Sequence, residues 1–241
     1  MLHALVSDVH ANLEALDAVL ADIDRRGADD IVCLGDFVGY GASPNECMAT
    51  LRPRIEAAVL GNHDQAAIDP SVLGDFNPEA AAAARWTGRQ LTADNAAWLA
   101  ALPYSLPWHG ARIVHAAPSD PEAWDYVLTL GIAVGEMRHC EEPVCFVGHS
   151  HVPVTFELDG ERASYSREPL VQGRRDHRYL IVVPSVGQPR DGDPRAGYLL
   201  WDDIAWTFEH VRLAYDVEGA QARILATGLP PSLAARLRWG E

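Results

Sequence analysis

The chain is 241 residues long, 48% hydrophobic and 22% charged, with a formal net charge of −15 at pH 7. Length and composition fit one folded unit with a substantial core, and they exclude a disordered or low-complexity chain. The acidity disfavours a long nucleic acid as partner, because phosphate backbones are gripped through Lys and Arg, and it is read as serving solubility.

The first residues enter an apolar run directly, at 2–6, without the basic and long apolar stretches of a secretory leader. No apolar run approaches the roughly 18 residues of a membrane span, so no membrane partner is expected. Cys33, Cys47, Cys140 and Cys145 show no CxxC spacing. Cys33 and Cys145 fall inside apolar runs, where a free thiol behaves as a small hydrophobe, and no disulfide framework is expected. A cytoplasmic location follows as the expectation.

After the first run, Leu13, Leu16, Val19, Leu20 and Ile23 recur at helical spacing, and Gly27 closes that helix. A second run, 31–34, leads into Gly35 and Asp36. Ser43, Pro44 and Glu46 read as N-cap, first helical position and capping-box partner of the next helix, which also accounts for Asn45. A third run, 57–60, ends at Gly61. From about 68 to 102 the rhythm gives way to a helical insertion, opened at Asn77-Pro78-Glu79 and capped again at Thr92. Its apolar residues, Trp86, Leu91, Trp98, Leu99 and Leu102, are too few for a core of their own, so it is expected beside the site within a single domain spanning 1–241. A helix over 132–139 and a strand over 144–147 follow. Strands are then expected at 154–158, 179–183, 197–201 and 205–213, with turn signals at Asp159-Gly160 and Asp202-Asp203. Helices at 217–226 and 231–237 finish the chain. Strand–helix alternation followed by an antiparallel run implies an α/β fold of two packed sheets with helices outside.

Apolar runs stop repeatedly at residues able to bind metal: Asp8 and His10, then Asp36, then Asn62 with His63 and Asp64, then His115, then His149 and His151. Buried strands that end in carboxylates and imidazoles line the mouth of a site in α/β proteins. Singly, each motif is a turn, a cap or a hydrogen-bonded structural histidine; their joint order points to a metal centre. Carboxylate, imidazole and amide oxygen suit divalent transition ions such as Mn, Fe, Ni or Zn. Two such ions a few ångströms apart can clamp both oxygens of an in-line phosphoryl displacement. Walker A, GxGxxG, HExxH and GxSxG motifs are missing from the sequence.

With these motifs in this order, the chain resembles a calcineurin-like metallophosphoesterase, of the small prokaryotic kind often described as predicted phosphodiesterases. The resemblance runs in motifs from Asp8 to Gln188. It implies a four-layer α/β/β/α sandwich of two mixed sheets, with a dinuclear metal site at the strand ends. It assigns Asp8, His10 and His151 to one metal and Asn62, His115 and His149 to the other, with Asp36 bridging both. Two divalent ions are implied, Mn favoured. His63 is similar to the family's general acid, and Asp64 is read either as holding its imidazole charged or as capping the next turn.

The expected activity is hydrolysis of a small phosphorylated substrate, with a lean to phosphodiesters, by attack of a hydroxide held between the metals. Phosphomonoesters, dinucleotide polyphosphates and a non-catalytic scaffold role stay open, as does the oligomeric state. Substrate contacts are expected from Asn62, His63 and Arg190; the last lies in a family-like segment, 184–191, with a surface salt bridge as its plain alternative. Gly39-Tyr40-Gly41 reads as a turn that approaches the site; Trp86, Trp98 and Trp124 are candidates to wall a substrate pocket, with core packing, favoured by their helical spacing, as the preferred reading. His3, His109, His139, His177 and His210 match no ligand position and are read as structural or surface residues.

Overall fold

The computed structural model describes residues 1–241, with every side chain except that of Asp75. Strands β1 (Leu2–Val6), β2 (Asp30–Cys33) and β3 (Ala57–Ala58) pair in parallel, linked by helices α1 (Leu13–Arg26) and α2 (Pro44–Leu51). Helices α3 (Asn62–Ile68), α4 (Pro78–Gln90) and α5 (Ala93–Ala100) follow, so the helical stretch begins before the expected residue 68. Next come β4 (Ser105–Trp108), β5 (Ala111–Val114), α6 (Leu130–Glu136), β6 (Val144–Val147) and β7 (Val154–Asp159). The chain ends through β8 (Arg162–Ser166), β9 (Leu170–Gln172), β10 (Arg178–Val182), β11 (Ala196–Asp202), β12 (Thr207–Leu213), α7 (Val217–Ala226) and α8 (Pro231–Ala235).

The strands form two six-stranded mixed sheets, β3-β2-β1-β11-β12-β9 and β4-β5-β6-β10-β7-β8. Side-chain alternation explains their stacking. On β1 and β2, Leu5 and Val32 face the second sheet, while Ala4, Val6, Ile31 and Cys33 face Leu16, Val19, Leu20 and Ile23 of α1. On β10, Tyr179 and Ile181 face inward, while Leu180 and Val182 join Ala133 and Met137 on the outer side. The result is the expected four-layer α/β/β/α sandwich. Burying a large apolar side chain contributes roughly 1.5–3 kcal/mol. A one-residue slip would turn each strand inside out, so this core sets the register and thereby where each strand stops.

Several elements differ from expectation, each for a local reason. The run 57–60 is a ladder only over Ala57–Ala58; beyond it Val59 N–H donates to Cys33 O and Leu60 N–H to Pro103 O. Strands β4, β8 and β9 are sheet edges where no apolar run marks them, and β4 carries Pro107, which only an edge tolerates. Helix α6 starts at Leu130 because Thr129 Oγ1 accepts from Ile132 N–H, and 137–139 is a 3-10 turn. The capping box at Ser43 is corrected, since its side chain caps nothing. Asn45 instead pins α2 to the α4–α5 junction, donating to Gln90 O and accepting from Thr92 N–H and Asn95 Nδ2. The caps at Asn77 and Thr92 are formed. Among the described residues no helix is long and apolar enough to cross a membrane.

Candidate metal centre

The carboxyl ends of β1, β2, β5 and β6 meet at one pole of the sandwich, and each delivers its ligand-type residue there. Asp8, His10, Asp36, Asn62, His115, His149 and His151 are all buried. Their donor atoms fall into two groups that share a member: Asp8, His10, Asp36 and His151, then Asp36, His115 and His149. Asn62, at the first position of α3, is buried with its Oδ1 unbonded among the described residues.

Backbone strain is concentrated here. Asp8, His10, Asp36, His149 and His151 all have positive φ, between 49° and 66°. A left-handed non-glycine residue costs roughly 1–2 kcal/mol, and Asp and His are among the residues that reach that region most readily. Such conformations persist at functional sites because the surrounding structure enforces them. Two glycines let the loops close in. A Cβ on Gly61 would meet Asp36 Oδ1 at 2.2 Å, and one on Gly148 would meet Ser7 Oγ at 2.0 Å.

Each ligand-type imidazole is held by one nitrogen. His10 Nδ1 donates to Val38 O (3.1 Å), His115 Nδ1 to Leu34 O (2.6 Å), His149 Nε2 to Trp124 O (2.9 Å), and His151 Nδ1 to Gln188 O. A backbone carbonyl only accepts, so the bonded nitrogen carries a proton and the other nitrogen is the one left to bind a cation. His10 Nε2 and His151 Nε2 then face each other at 3.1 Å. His151 Nε2 is 3.3 Å from Asp8 Oδ1, and His115 Nε2 is 3.3 Å from Asp36 Oδ2. Asp36 Oδ2 and His115 Nε2 make no hydrogen bond among the described residues. Lone pairs and carboxylates crowded together out of water repel one another unless cations sit among them, and separations near 3 Å are those of ligands sharing one ion. The donor set therefore fits divalent metals.

Burial acts to raise Asp8 and Asp36, but the neighbouring imidazoles of His151 and His115 outweigh it and hold both below the usual carboxylate range. Burial alone would lower His115; Asp36 and Asp8 instead lift it to about 9. Burial pushes His149 down to about 3 and takes His10 and His151 down as well. A cation beside His115 takes the place of its proton, so metal loading is expected to release one.

The remaining candidates sort differently. His63 is buried, with Nδ1 unbonded among the described residues, and burial lowers it to about 4. The expectation that Asp64 keeps this imidazole charged is corrected. Asp64 Oδ1 accepts from Val38 N–H (3.1 Å) and Oδ2 from Gly61 N–H (3.2 Å), with no bond to His63, and burial raises it to about 8. Capping takes a different form from the expected one: Gly61 is the N-cap of α3, and Asp64, the third residue of that helix, reaches back to the Gly61 N–H. Arg190 has no carboxylate partner among the described residues; it donates to Gln188 Oε1 (2.9 Å) and Tyr40 Oη (3.4 Å) and lies over the Tyr40 ring. The Gly39–Gly41 turn does approach closely, since a Cβ on Gly41 would meet His10 O at 2.2 Å.

Beside the centre opens a cavity of about 540 Å³, lined among others by Tyr40, His63, Phe76, Trp124, Tyr126 and His149. Phe76 belongs to the helical stretch, which thus lies beside the site; Trp86 packs in one cluster with Phe76 and Tyr40, and Trp98 packs against Phe37. Trp124 is not core: its indole N–H donates to Gln65 Oε1, and its carbonyl orients His149. Tyr126 stacks on His149 with centroids 4.0 Å apart. Trp124 takes the pocket-wall reading rather than the preferred packing one, and nothing in the sequence around 119–128 marks Tyr126 as a wall residue, since that stretch has no periodicity and no strand.

A profile of the calcineurin-like phosphoesterase superfamily domain matches residues 1–202. The chain belongs to that superfamily. It is 39% identical to an uncharacterized protein of Methanocaldococcus jannaschii over 99% of this chain and 98% of that one. The crystal structure of a metallophosphoesterase from Sphaerobacter thermophilus superposes with a TM-score of 0.88 at 38% identity, covering 100% of this chain and 99% of the other. A hypothetical protein from Pyrococcus horikoshii OT3 shares the fold, with a TM-score of 0.79 at 19% identity, covering 100% and 98%. The phosphoesterases of this superfamily are hydrolases that depend on a dinuclear metal centre, and the clustered Asp and His donors described above are the matching candidates here.

Proposed function

We propose that this phosphoesterase hydrolyses a small phosphodiester, with two divalent transition ions, manganese favoured, held by the buried pole residues. Asp8, His10 and His151 form one ligand group, Asn62, His115 and His149 the other, and Asp36 serves both. The observation that carries the reading is the convergence of four carbonyl-held imidazoles on two buried carboxylates, with Asp36 common to both groups. Divalent ions in such a centre acidify water and draw charge from a phosphoryl group.

The chain's own residues do the rest. The neutral amide of Asn62 adds a donor without adding negative charge. His63 is neutral in the free protein at neutral pH, because burial lowers it to about 4. A phosphoryl anion beside it favours the imidazolium, so its proton becomes available to the leaving oxygen once substrate is bound. Arg190, tethered to Gln188 and Tyr40, is placed to reach a phosphate oxygen. The aromatic faces of Phe76 and Tyr126 in a roomy cavity support an ester carrying organic groups on both sides of phosphorus.

The test is kcat/KM of the manganese-loaded protein on bis-p-nitrophenyl phosphate and on p-nitrophenyl phosphate, with Asp36→Asn as control. Diester turnover exceeding monoester turnover and lost in the variant is expected. Preference for the monoester would remove the diester reading, and no turnover of either ester with metals in place would remove the hydrolase.

A further inference from the structure

We propose a second metal site at the opposite pole of the sandwich, where His3, Asp30, Glu56 and His109 hold one zinc-type divalent cation. The same strands serve both poles. β1 carries His3 near its start and leads to Asp8, β2 starts at Asp30 and leads to Asp36, and β5 follows the His109-Gly110 turn and leads to His115. Glu56 immediately precedes β3.

The donor atoms of His3, Asp30 and His109 lie within 4.8 Å of one another, and Glu56 stands beside His109. His3 Nδ1 lies 2.8 Å from Asp30 Oδ2, His109 Nε2 lies 3.9 Å from Asp30 Oδ2, and Glu56 Oε2 lies 3.4 Å from His109 Nε2. Four ligands placed tetrahedrally around zinc at 2.0–2.1 Å stand roughly 3.3 Å apart, and the observed separations bracket that value. Two imidazoles and two carboxylates are a donor set for a borderline divalent ion.

A second observation concerns the far side of the His3 ring. His3 is fully buried, yet its Nε2 makes no hydrogen bond among the described residues and stands 3.6 Å from Asp203 Oδ2. With a metal on Nδ1, Nε2 carries the proton and Asp203 becomes the carboxylate that orients the ring, the usual support of a metal-bound imidazole. The rings of Trp108 and Trp201 pack against His3 at 4.8 and 5.1 Å, and the Trp108 indole donates to Glu56 Oε2. His109 occupies a hairpin turn at φ 46°, ahead of Gly110 at φ 75°, where Asn is the ordinary residue. Its partial exposure leaves an entry path.

His3, Asp30 and His109 are the grouped donors; with Glu56 brought in from beside His109 as the fourth, the coordination sphere closes and the site is structural. It ties the first sheet, through β1 and β2, to the β4–β5 hairpin of the second.

The experiment compares the full-length protein with His109→Asn, which keeps the turn, and with Glu56→Gln, which alters a half-exposed side chain. Zinc content after gel filtration and the zinc-dependent rise in Tm are measured, together with the visible spectrum after cobalt substitution. Each variant is expected to lose one equivalent of zinc, the zinc-dependent rise in Tm and the tetrahedral cobalt bands, with diester hydrolysis unchanged. Asp36→Asn should keep the rise. Equal zinc content and an equal Tm response in the parent and both variants would overturn the site and leave a hydrogen-bonded cluster. Loss of zinc together with loss of hydrolysis would overturn its independence from the catalytic pole.

Discussion

The histidines of the catalytic pole and those in the body of the sandwich are buried alike but held differently. His10, His115, His149 and His151 each donate to a backbone carbonyl and turn the other nitrogen toward shared carboxylates. His177 bonds the Glu157 carboxylate at 2.6 Å, and His210 bonds Thr155 Oγ1 at 3.0 Å, across the two sheets. Both also leave a ring nitrogen without a hydrogen bond among the described residues. An idle nitrogen is therefore not the mark of a ligand. At the catalytic pole several such nitrogens converge, each on a ring fixed by a carbonyl, and it is the convergence of donors that separates a metal centre from packed histidines.

Substitutions at the catalytic pole should change activity and metal content, whereas those in the body should change stability alone. The largest effect is expected from Asp36→Asn, which serves both donor groups: diester hydrolysis falls to background, and retention of activity would dissolve the shared centre. His63→Ala should lower kcat by about 10²–10⁴-fold, the usual range for a general acid, with metal content unchanged by elemental analysis. Full activity in that variant would remove His63 from the mechanism.

In the body, the sharpest test is pH. Burial lowers His210 from 6.5 to about 4, so as pH falls the unfolded chain takes the proton first. Its contribution is whole above pH 6.5 and is lost as the pH drops toward 4, on the order of 3 kcal/mol in full. Urea unfolding of parent and His210→Gln at pH 7 and pH 4.5 measures this; parallel pH dependence in the two proteins would contradict it. The smallest effect is expected from Arg190→Ala, a rise in KM of roughly tenfold with kcat nearly unchanged, as for loss of one charge-assisted hydrogen bond. An unchanged KM would leave Arg190 as a brace for Gln188 and Tyr40.

The gathering of ligand-type residues at one pole was legible because they follow within a few residues of hydrophobic runs, and a buried parallel strand announces itself as such a run. The edge strands were hidden by their own polarity and by Pro107, which are properties that keep edges from pairing with other chains. The positive φ angles of Asp8 and His149 are imposed by packing and leave no trace in the residue pattern. Asn45 was read as a local cap, although its partners lie some 45 residues on, at Gln90 and Thr92. His3 and His109 lie far apart in the chain, and only the stacking of the two sheets brings their rings to 4.7 Å. Spacing cannot report a neighbour created by topology.

The most direct measurement is anomalous diffraction from crystals grown with manganese. Two peaks are expected at the catalytic pole, one against Asp8, His10 and His151, the other against Asn62, His115 and His149, with Asp36 touching both. A single peak, or two that do not share Asp36, would contradict the account.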